Sequence, residues 1–293
     1  MCIRLLFLAT LLWFHPIFIA AQTAKLDPVL LEKANGGDAQ SQFLLGQAYA
    51  SGKGVQQDDA QAAQWYQRAA DQSFADAEFE LAVMLIAGRG VEQNQSRAVM
   101  LLNRAAGQGL ARAQLTLAGL YDRGEGVKQN YAQAADWYRE AALQGVAEAQ
   151  FNLGIMYENG QGVPQDPSQA ADLYRLAANQ GNAAAQFNLG LLYDNGNGVE
   201  KDFAQAAHWY RKAAEQGLPR AQFNLGAMYA QGDGVPRNLV EAYFWLDLAA
   251  SIWSGSHQQE AANARDKVGA RLSFTDLTAA QKRAKDWLDS REK

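Results

Sequence analysis

Amide side chains suited to binding a peptide recur at one spacing in the second half of the chain. Asn152, Asn188 and Asn224 follow one another at a constant interval of 36 residues. An amide both donates and accepts hydrogen bonds, so a row of three could bind the backbone of an extended peptide. Arginines beside the row could bind carboxylates of the same partner. These residue types favour molecular recognition.

Residues that commonly perform catalysis or bind metals are few. Cys2 is the sole cysteine, and beyond the N-terminal segment the histidines are His208 and His257, neither with a second metal ligand at helical spacing. The sequence contains no nucleophile elbow, phosphate-binding loop or zinc motif. A net charge of −5 without a basic stripe argues against a nucleic-acid partner. We therefore expect no catalytic residue, no cofactor and no bound metal.

A short motif, Gly-x-Gly-Val, divides the chain into equal parts. It occurs six times at steps of 36 residues without insertion or deletion. A fixed period of this length is typical of a solenoid, in which each repeat buries its apolar face against the next one. The first glycine of the motif is found at Gly52, Gly88, Gly124, Gly160, Gly196 and Gly232.

Each repeat contains two segments with the apolar period of a helix. We expect the first helix to end at the first motif glycine, which can adopt a left-handed conformation. Gly190, within the first helix of the fifth repeat, is expected to let two helix backbones approach closely. Trp209 and Tyr210, on the second helix, are expected to pack against alanines of the core. Preferred N-cap residues precede all six second helices, namely Asp58, Asn94, Asn130, Asp166, Asp202 and Asn238.

These patterns together resemble the Sel1-like repeat family. The resemblance rests on Ala-x-Phe-x-Leu-Gly-x-x-Tyr, Gly-x-Gly-Val, Asp or Asn, Ala-x-x-Trp-Tyr and Ala-Ala-x-x-Gly, repeated every 36 residues over about 39–253. The related tetratricopeptide unit has 34 residues. The resemblance implies an all-α, right-handed α/α superhelical solenoid of six 36-residue helix-turn-helix repeats. Repeat two departs most, with Ala82, Leu101 and Leu102 at the glycine and aromatic positions.

The N-terminal residues have the layout of a signal peptide. Arg4 precedes an apolar core, and Ala20 and Ala21 form a small-residue cleavage site. We predict a signal peptide at 1–21, and hence a periplasmic or secreted protein with no stable membrane insertion after cleavage. The alternative is an uncleaved anchor, because the apolar run is nearly long enough to span a bilayer.

The ends of the array are expected to be capped by additional helices. We assign 22–38 to an N-terminal capping helix, 39–253 to the six repeats and 254–293 to C-terminal capping helices. Capping-box patterns at Ser256-x-x-Gln259 and Thr278-x-x-Gln281 predict where the last two helices begin.

The resemblance also implies that the first helix of each repeat lines a concave groove. After the core positions are removed, the remaining face of this helix is polar and differs between repeats. An alternative is that the asparagines hydrogen-bond between repeats or simply face water. The predicted partner-binding residues are Asn152, Asn188, Asn224, Arg112, Arg123, Glu148, Asn159, Asn195 and Arg220.

Two functions remain open. The resemblance favours an exported, non-catalytic scaffold or adaptor that binds a protein or peptide in its groove, for envelope regulation, for assembly or as an immunity protein against a secreted toxin. The alternative is a β-lactam-binding or hydrolysing enzyme like cysteine-rich members of the family. This chain lacks their cysteines, and no nucleophile and base are paired in its sequence.

Overall fold

Helices joined by short turns make up the part of the chain that the structure describes. The structure is a computed structural model that covers residues 26–291, and it contains no strand within them. Its helices are α1 Pro28–Asn35, α2 Ala39–Ser51, α3 Asp59–Asp71, α4 Ala75–Ala87, α5 Gln95–Gly107, α6 Ala111–Arg123, α7 Tyr131–Leu143, α8 Ala147–Asn159, α9 Pro167–Asn179, α10 Ala183–Asn195, α11 Phe203–Glu215, α12 Pro219–Gln231, α13 Leu239–Ile252, α14 Gly255–Gly269 and α15 Phe274–Asp289.

Pairs of these helices form the repeats, and each pair packs against the next. The first helices are α2, α4, α6, α8, α10 and α12, and the second helices are α3, α5, α7, α9, α11 and α13. All six predicted N-caps are confirmed, because each side chain accepts a hydrogen bond from a backbone N–H in the first turn of its second helix. The chain is therefore a helical solenoid, as the period predicts.

The two motif glycines have different roles. Gly160 ends α8 with a φ of 68°, in the left-handed region that the sequence predicts. Gly162 also has a positive φ, and a Cβ placed there would lie 2.3 Å from the carbonyl oxygen of Tyr131, the first residue of α7. The second glycine therefore lets each turn pack against the preceding repeat.

The expected role of Gly190 is wrong in one respect. The group that lies over it is the ring of Tyr210, which is 2.7 Å from the position a Cβ would occupy. Gly46 and Gly154 are covered in the same way by Tyr66 and Tyr174. The small residue accommodates a side chain of the second helix, and not a helix backbone.

The core between the helices consists of large aromatics and small alanines, as predicted. Tyr174 and Tyr210 are fully buried, and Trp65 and Trp209 are nearly so. They pack with alanines such as Ala213, which have no exposed surface. This close packing fixes each helix relative to its neighbours.

Buried glutamines connect successive repeats at the helix ends. Gln186 donates from Nε2 to the carbonyl of Ala178 over 3.0 Å, and its Oε1 accepts from Gln216 over 2.8 Å. Gln42, Gln114 and Gln150 form equivalent pairs of bonds. The pattern changes at two positions. Glu78 replaces the glutamine in repeat two. Gln222 of the last repeat keeps its place, but Ile252 stands where its partner glutamine would be.

At the C-terminal end the two capping-box predictions are wrong. The N-cap of α14 is Ser254, and the N-cap of α15 is Ser273, which accepts a hydrogen bond from the N–H of Asp276. Thr278 lies inside α15, where its hydroxyl donates to the carbonyl of Phe274. The box Ser273-x-x-Asp276 starts the helix five residues earlier than predicted.

Both ends of the array are covered. The helix α15 places Ala284, Trp287 and Leu288 against the core of the last repeats, as its apolar side predicts. At the other end, Ala34 of α1 is buried against Leu45 and Trp65. No helix within residues 26–291 is long and apolar enough to cross a membrane. The predicted signal peptide lies outside this range.

Candidate functional site

The predicted asparagine row lies on successive first helices, at positions tied to buried tyrosines. Asn188, on α10, lies beside the hydroxyl of Tyr174 on α9 of the preceding repeat, where its amide favours the ionised form and so acts to lower the pKa of that tyrosine. Asn152 and Asn224 lie in the same way beside Tyr138 and Tyr210. All three asparagines are nevertheless partly exposed. They therefore lie against the neighbouring repeat while keeping a surface open to solvent.

A carboxylate approaches each of these tyrosines from its own repeat. The hydroxyl of Tyr174 donates to Oε2 of Glu158 over 2.5 Å, and that of Tyr210 donates to Oδ2 of Asp194 over 3.2 Å. Asp122 acts on Tyr138 through its charge, which raises the pKa of that tyrosine. The hydroxyls of Tyr174 and Tyr210 thus lie between a carboxylate of one first helix and an amide of the next, and Tyr138 has the same two residue types nearby.

The tyrosines remain protonated in this setting. Burial, followed by the charge of Asp122, raises the pKa of Tyr138 to about 12. The pKa of Tyr174 is raised further by burial and by its hydrogen bond to Glu158, and that of Tyr210 by burial and by the charge of Asp194. A protonated hydroxyl donates to the carboxylate and accepts from the amide. This arrangement leaves one N–H and the carbonyl oxygen of each asparagine for other contacts.

We call these three groups the Asp122–Tyr138–Asn152, Glu158–Tyr174–Asn188 and Asp194–Tyr210–Asn224 triads. The sequence carries a signal for them that the asparagine row alone does not show. In repeat two, where Leu102 replaces the tyrosine, the carboxylate and amide positions are held by Ile86 and Thr116. The three residue types are therefore lost together. Repeat one keeps the tyrosine, as Tyr66, but has Ala50 at the carboxylate position and Glu80 at the amide position.

Two of the predicted arginines are already paired within the chain. Arg112 contacts Asp76 over 2.6 Å and Glu80 over 2.7 Å, and its guanidinium lies over the ring of Phe79. Arg123 contacts Glu125, two residues away, over 2.7 Å. Neither charge is available to a partner without breaking an ion pair.

The remaining predicted residues are exposed on the same face. Glu148 begins the face on α8, and Arg220 occupies the equivalent position on α12. Asn159 and Asn195 lie at the C-terminal ends of α8 and α10. Within residues 26–291, neither Glu148 nor Arg220 forms an ion pair. We refer to the triads and these four residues as the first-helix face.

A pocket of about 630 Å³ continues this face at the N-terminal end of the array. Its lining includes Leu30 of α1, Leu44 of α2, Tyr66 and Glu80. Leu44 and Glu80 occupy the register positions that asparagines hold in later repeats. The pocket is also lined by Ala50, which stands where the triads have a carboxylate.

The two histidines within residues 26–291 lie apart from this face and from each other. His208 is exposed on α11, and His257 is exposed on α14 beside Trp253. Within the part of the chain that the structure describes, no three His, Cys, Asp or Glu side chains are grouped to hold a metal ion.

Comparisons with known proteins agree with the repeat boundaries. The family model described as Sel1 repeat matches six consecutive segments, 39–74, 75–110, 111–146, 147–182, 183–218 and 219–251. Each segment begins at a first helix. A search of curated proteins gave no match.

Two solved structures of similar proteins have the same fold. A protective antigen of uropathogenic Escherichia coli with an SLR fold is 31% identical, covers 89% of this chain and has a TM-score of 0.59. This chain spans 63% of that antigen's length. A Sel1 repeat protein from Oxalobacter formigenes is 32% identical, with 75% of this chain and 87% of that chain covered and a TM-score of 0.62. An immunity protein from Pseudomonas aeruginosa is more distant, at 20% identity over 87% of this chain and 89% of that chain, with a TM-score of 0.39.

Proposed function

The chain belongs to the Sel1 repeat family, whose repeats form protein-interaction scaffolds, and on that premise we propose that it is a non-catalytic adaptor. Its first-helix face lines the concave groove of the solenoid and binds an extended segment of a partner protein. The main support for this function is the row of three triads, which present partly exposed amides on successive repeats.

The triads support this function because they fix the amides before a partner arrives. A surface asparagine ordinarily loses side-chain entropy when it binds, and that loss weakens the complex. Here the Asn188 amide lies against the Tyr174 hydroxyl, which is itself fixed by its hydrogen bond to Glu158. A side chain restrained in this way donates and accepts with less entropic loss. The same restraint recurs in the next repeat, at Tyr210.

The adaptor is exported in this proposal. The signal-peptide pattern at 1–21 supports export, and cleavage after Ala21 would remove Cys2, leaving a mature protein without cysteine. Chemical sequencing of protein purified from the cell envelope should begin at Gln22. A chain that begins at Met1 in the membrane fraction would contradict cleavage and favour the anchor.

Site-specific photo-crosslinking in intact cells tests the binding face. Asn195 is the best probe position, because it is exposed on the first-helix face and is not part of a triad. His208 is the matched control, because it is exposed on the second helix that follows, α11. We expect the probe at Asn195 to capture one defined partner and the probe at His208 to capture none.

The two probes also separate the possible failures. Capture of the same partner through His208 alone would place the binding surface on the second helices. Capture through neither position, in cells that contain the folded protein, would contradict a groove-binding adaptor. Sequencing the crosslinked peptide identifies the partner segment.

A further inference from the structure

We infer that the segment bound by the first-helix face is basic, with lysine or arginine side chains placed about three residues apart along an extended chain. The inference rests on the proposed function and names the chemistry of its partner. It also reverses the simplest expectation from the sequence, in which arginines of the groove would bind an acidic partner.

The charges that remain on this face are predominantly negative. Arg112 and Arg123 are each paired with carboxylates of the chain, so their charges are largely cancelled. Glu148 and the three triad carboxylates form no ion pair among residues 26–291, and Arg220 is the one unpaired cation among the predicted binding residues. Four carboxylates therefore face a partner with one guanidinium beside them. Charge complementarity favours a cationic partner.

The triad carboxylates retain the capacity to bind. Glu158 receives the Tyr174 hydroxyl on Oε2, which leaves Oε1 and further lone pairs for a second donor. Its side chain is partly exposed, as are those of Asp122 and Asp194. A lysine or arginine can therefore form a charge-assisted hydrogen bond without displacing the tyrosine.

Each triad presents two different groups that suit one stretch of peptide. The amide of Asn188 and the carboxylate of Glu158 both lie at the Tyr174 hydroxyl, so they are close together although they belong to successive first helices. The amide can bind a peptide group of the main chain, and the carboxylate can bind a basic side chain. This pairing on one hydroxyl distinguishes the triads from isolated surface acids.

The spacing of the triads sets the spacing of the basic residues. Packed helices lie roughly 8–10 Å apart, and we take this scale for the distance between successive first helices, which pack against the second helix between them. A chain in the extended polyproline II conformation rises about 3.1 Å per residue and has three residues per turn, so residues three apart lie on one side and span about one repeat. Side chains three residues apart would therefore meet successive carboxylates.

Fluorescence anisotropy with defined peptides tests the inference on the full mature chain. The probes consist of Gly-Ser-Lys, Gly-Ser-Gln or Gly-Ser-Glu triplets, each repeated four times and carrying the same fluorophore. We expect the lysine peptide to bind at least about tenfold more tightly than the glutamine peptide at low ionic strength. The glutamate peptide should bind most weakly.

Two matched triple variants test whether the triad carboxylates bind the lysine peptide. The triple variant Asp122→Asn, Glu158→Gln and Asp194→Asn should lose at least about tenfold in affinity for the lysine peptide. Its amides can still accept hydrogen bonds from the tyrosine hydroxyls, so the fold should persist.

The control triple Asp136→Asn, Glu140→Gln and Asp172→Asn removes the same charge from exposed positions of α7 and α9 and should bind like the parent. If the first triple fails to fold, Glu148→Lys provides a second test, because Glu148 is exposed and outside the triads.

Several results would overturn the inference. Equal losses in the two triple variants would show attraction to net charge alone, and an unchanged affinity in the first triple would show that the triad carboxylates do not bind the peptide. Equal binding of the lysine and glutamine peptides would exclude a preference for basic chains. If the partner segment that is crosslinked at Asn195 is acidic or neutral, the adaptor function stands and the inference of a basic segment fails.

Discussion

The hydroxyl of Tyr174, a buried residue of α9, connects three consecutive helices. It donates to Glu158 on α8 over 2.5 Å and lies beside the amide of Asn188 on α10. The same hydroxyl therefore contributes to the packing of two repeats and to the surface that they share. Stability and recognition are linked at this residue.

Tyr174→Phe should separate the two contributions. The change keeps the buried ring but removes the hydroxyl, which leaves Glu158 without its donor and the Asn188 amide without the hydroxyl beside it. We expect unfolding free energy to fall by about 1 kcal/mol, the usual net value of such a hydrogen bond. Hydrogen exchange should rise in α8–α10 and stay unchanged in α2 and α3, because contacts run between neighbouring repeats. Uniform loosening along the array would contradict a local role.

A pair of glycine variants tests the inter-repeat turn. Gly162→Ala adds a Cβ 2.3 Å from the Tyr131 carbonyl oxygen, whereas Gly145→Ala adds one with no atom within 4 Å. Both glycines have positive φ, 71° and 84°, so both variants lose about 1–2 kcal/mol for a left-handed alanine. We expect Gly162→Ala to cost at least about 2 kcal/mol more, measured by urea unfolding. Equal costs would show that the turn can move away from α7.

Ile252→Gln should stabilise the last repeat. The Oε1 atom of Gln222 is buried without a hydrogen-bond partner, although its equivalent in repeat five, Gln186, accepts from Gln216. Ile252 stands at the position of that donor and is 42% exposed, so its replacement sacrifices little apolar burial. A glutamine donor should raise the unfolding free energy by about 1 kcal/mol.

Ile252→Glu is the control for this variant, because a carboxylate has nearly the same shape and cannot donate. It should give no gain at neutral pH. A similar gain in both variants would show that removal of the exposed isoleucine, and not the hydrogen bond to Gln222, is the cause.

Glu78→Gln should change how stability depends on pH. Glu78 is fully buried, with Arg104 at 2.5 Å and the Gln108 amide at 2.8 Å. Burial raises the pKa of Glu78 above its ordinary value of 4.5, and this outweighs the lowering by Arg104. The folded state thus favours the protonated form, so the stability that Glu78 contributes is present below pH 4.5 and is lost as pH rises through its folded pKa.

A neutral glutamine at position 78 removes this loss. It can also donate to the Ala70 carbonyl, which takes its hydrogen bond from Arg104 in the parent chain. We expect Glu78→Gln to be about 1 kcal/mol more stable than the parent at pH 7, and the difference to shrink as pH falls toward 4.5. Thermal unfolding across this pH range measures it. A variant that is less stable at pH 7 would show that the ion pair to Arg104 stabilises the fold overall.

The solenoid could be predicted from the sequence because its determinants are local and repeat. An N-cap such as Asp166 and a turn glycine such as Gly160 act within one turn of their own helix, so a pattern in the sequence is sufficient. The two capping-box errors are also local in origin. Ser273-x-x-Asp276 and Thr278-x-x-Gln281 both match the pattern, and the fold uses the first one.

The candidate site was predicted less completely because its contacts cross between helices. Asn188 could be identified as a repeated amide, but its bond to Tyr174 joins residues of different repeats. Arg112 looked available to a partner because Asp76, which binds it, lies 36 residues earlier in the chain. The co-occurrence of acid, tyrosine and asparagine across repeats was the signal in the sequence that would have indicated the triads.

The most direct test of the account is the affinity of the partner captured through Asn195 for two matched triple variants. One is Asn152→Ala, Asn188→Ala and Asn224→Ala, and the other is Gln133→Ala, Gln169→Ala and Gln205→Ala, which removes three exposed amides of the same spacing from the second helices. Three hydrogen bonds of about 1 kcal/mol each predict a loss of roughly a hundredfold for the asparagine variant in calorimetric titration, and none for the glutamine variant. Unchanged affinity in a folded asparagine variant, or an equal loss in both, would contradict a binding face built on the triads.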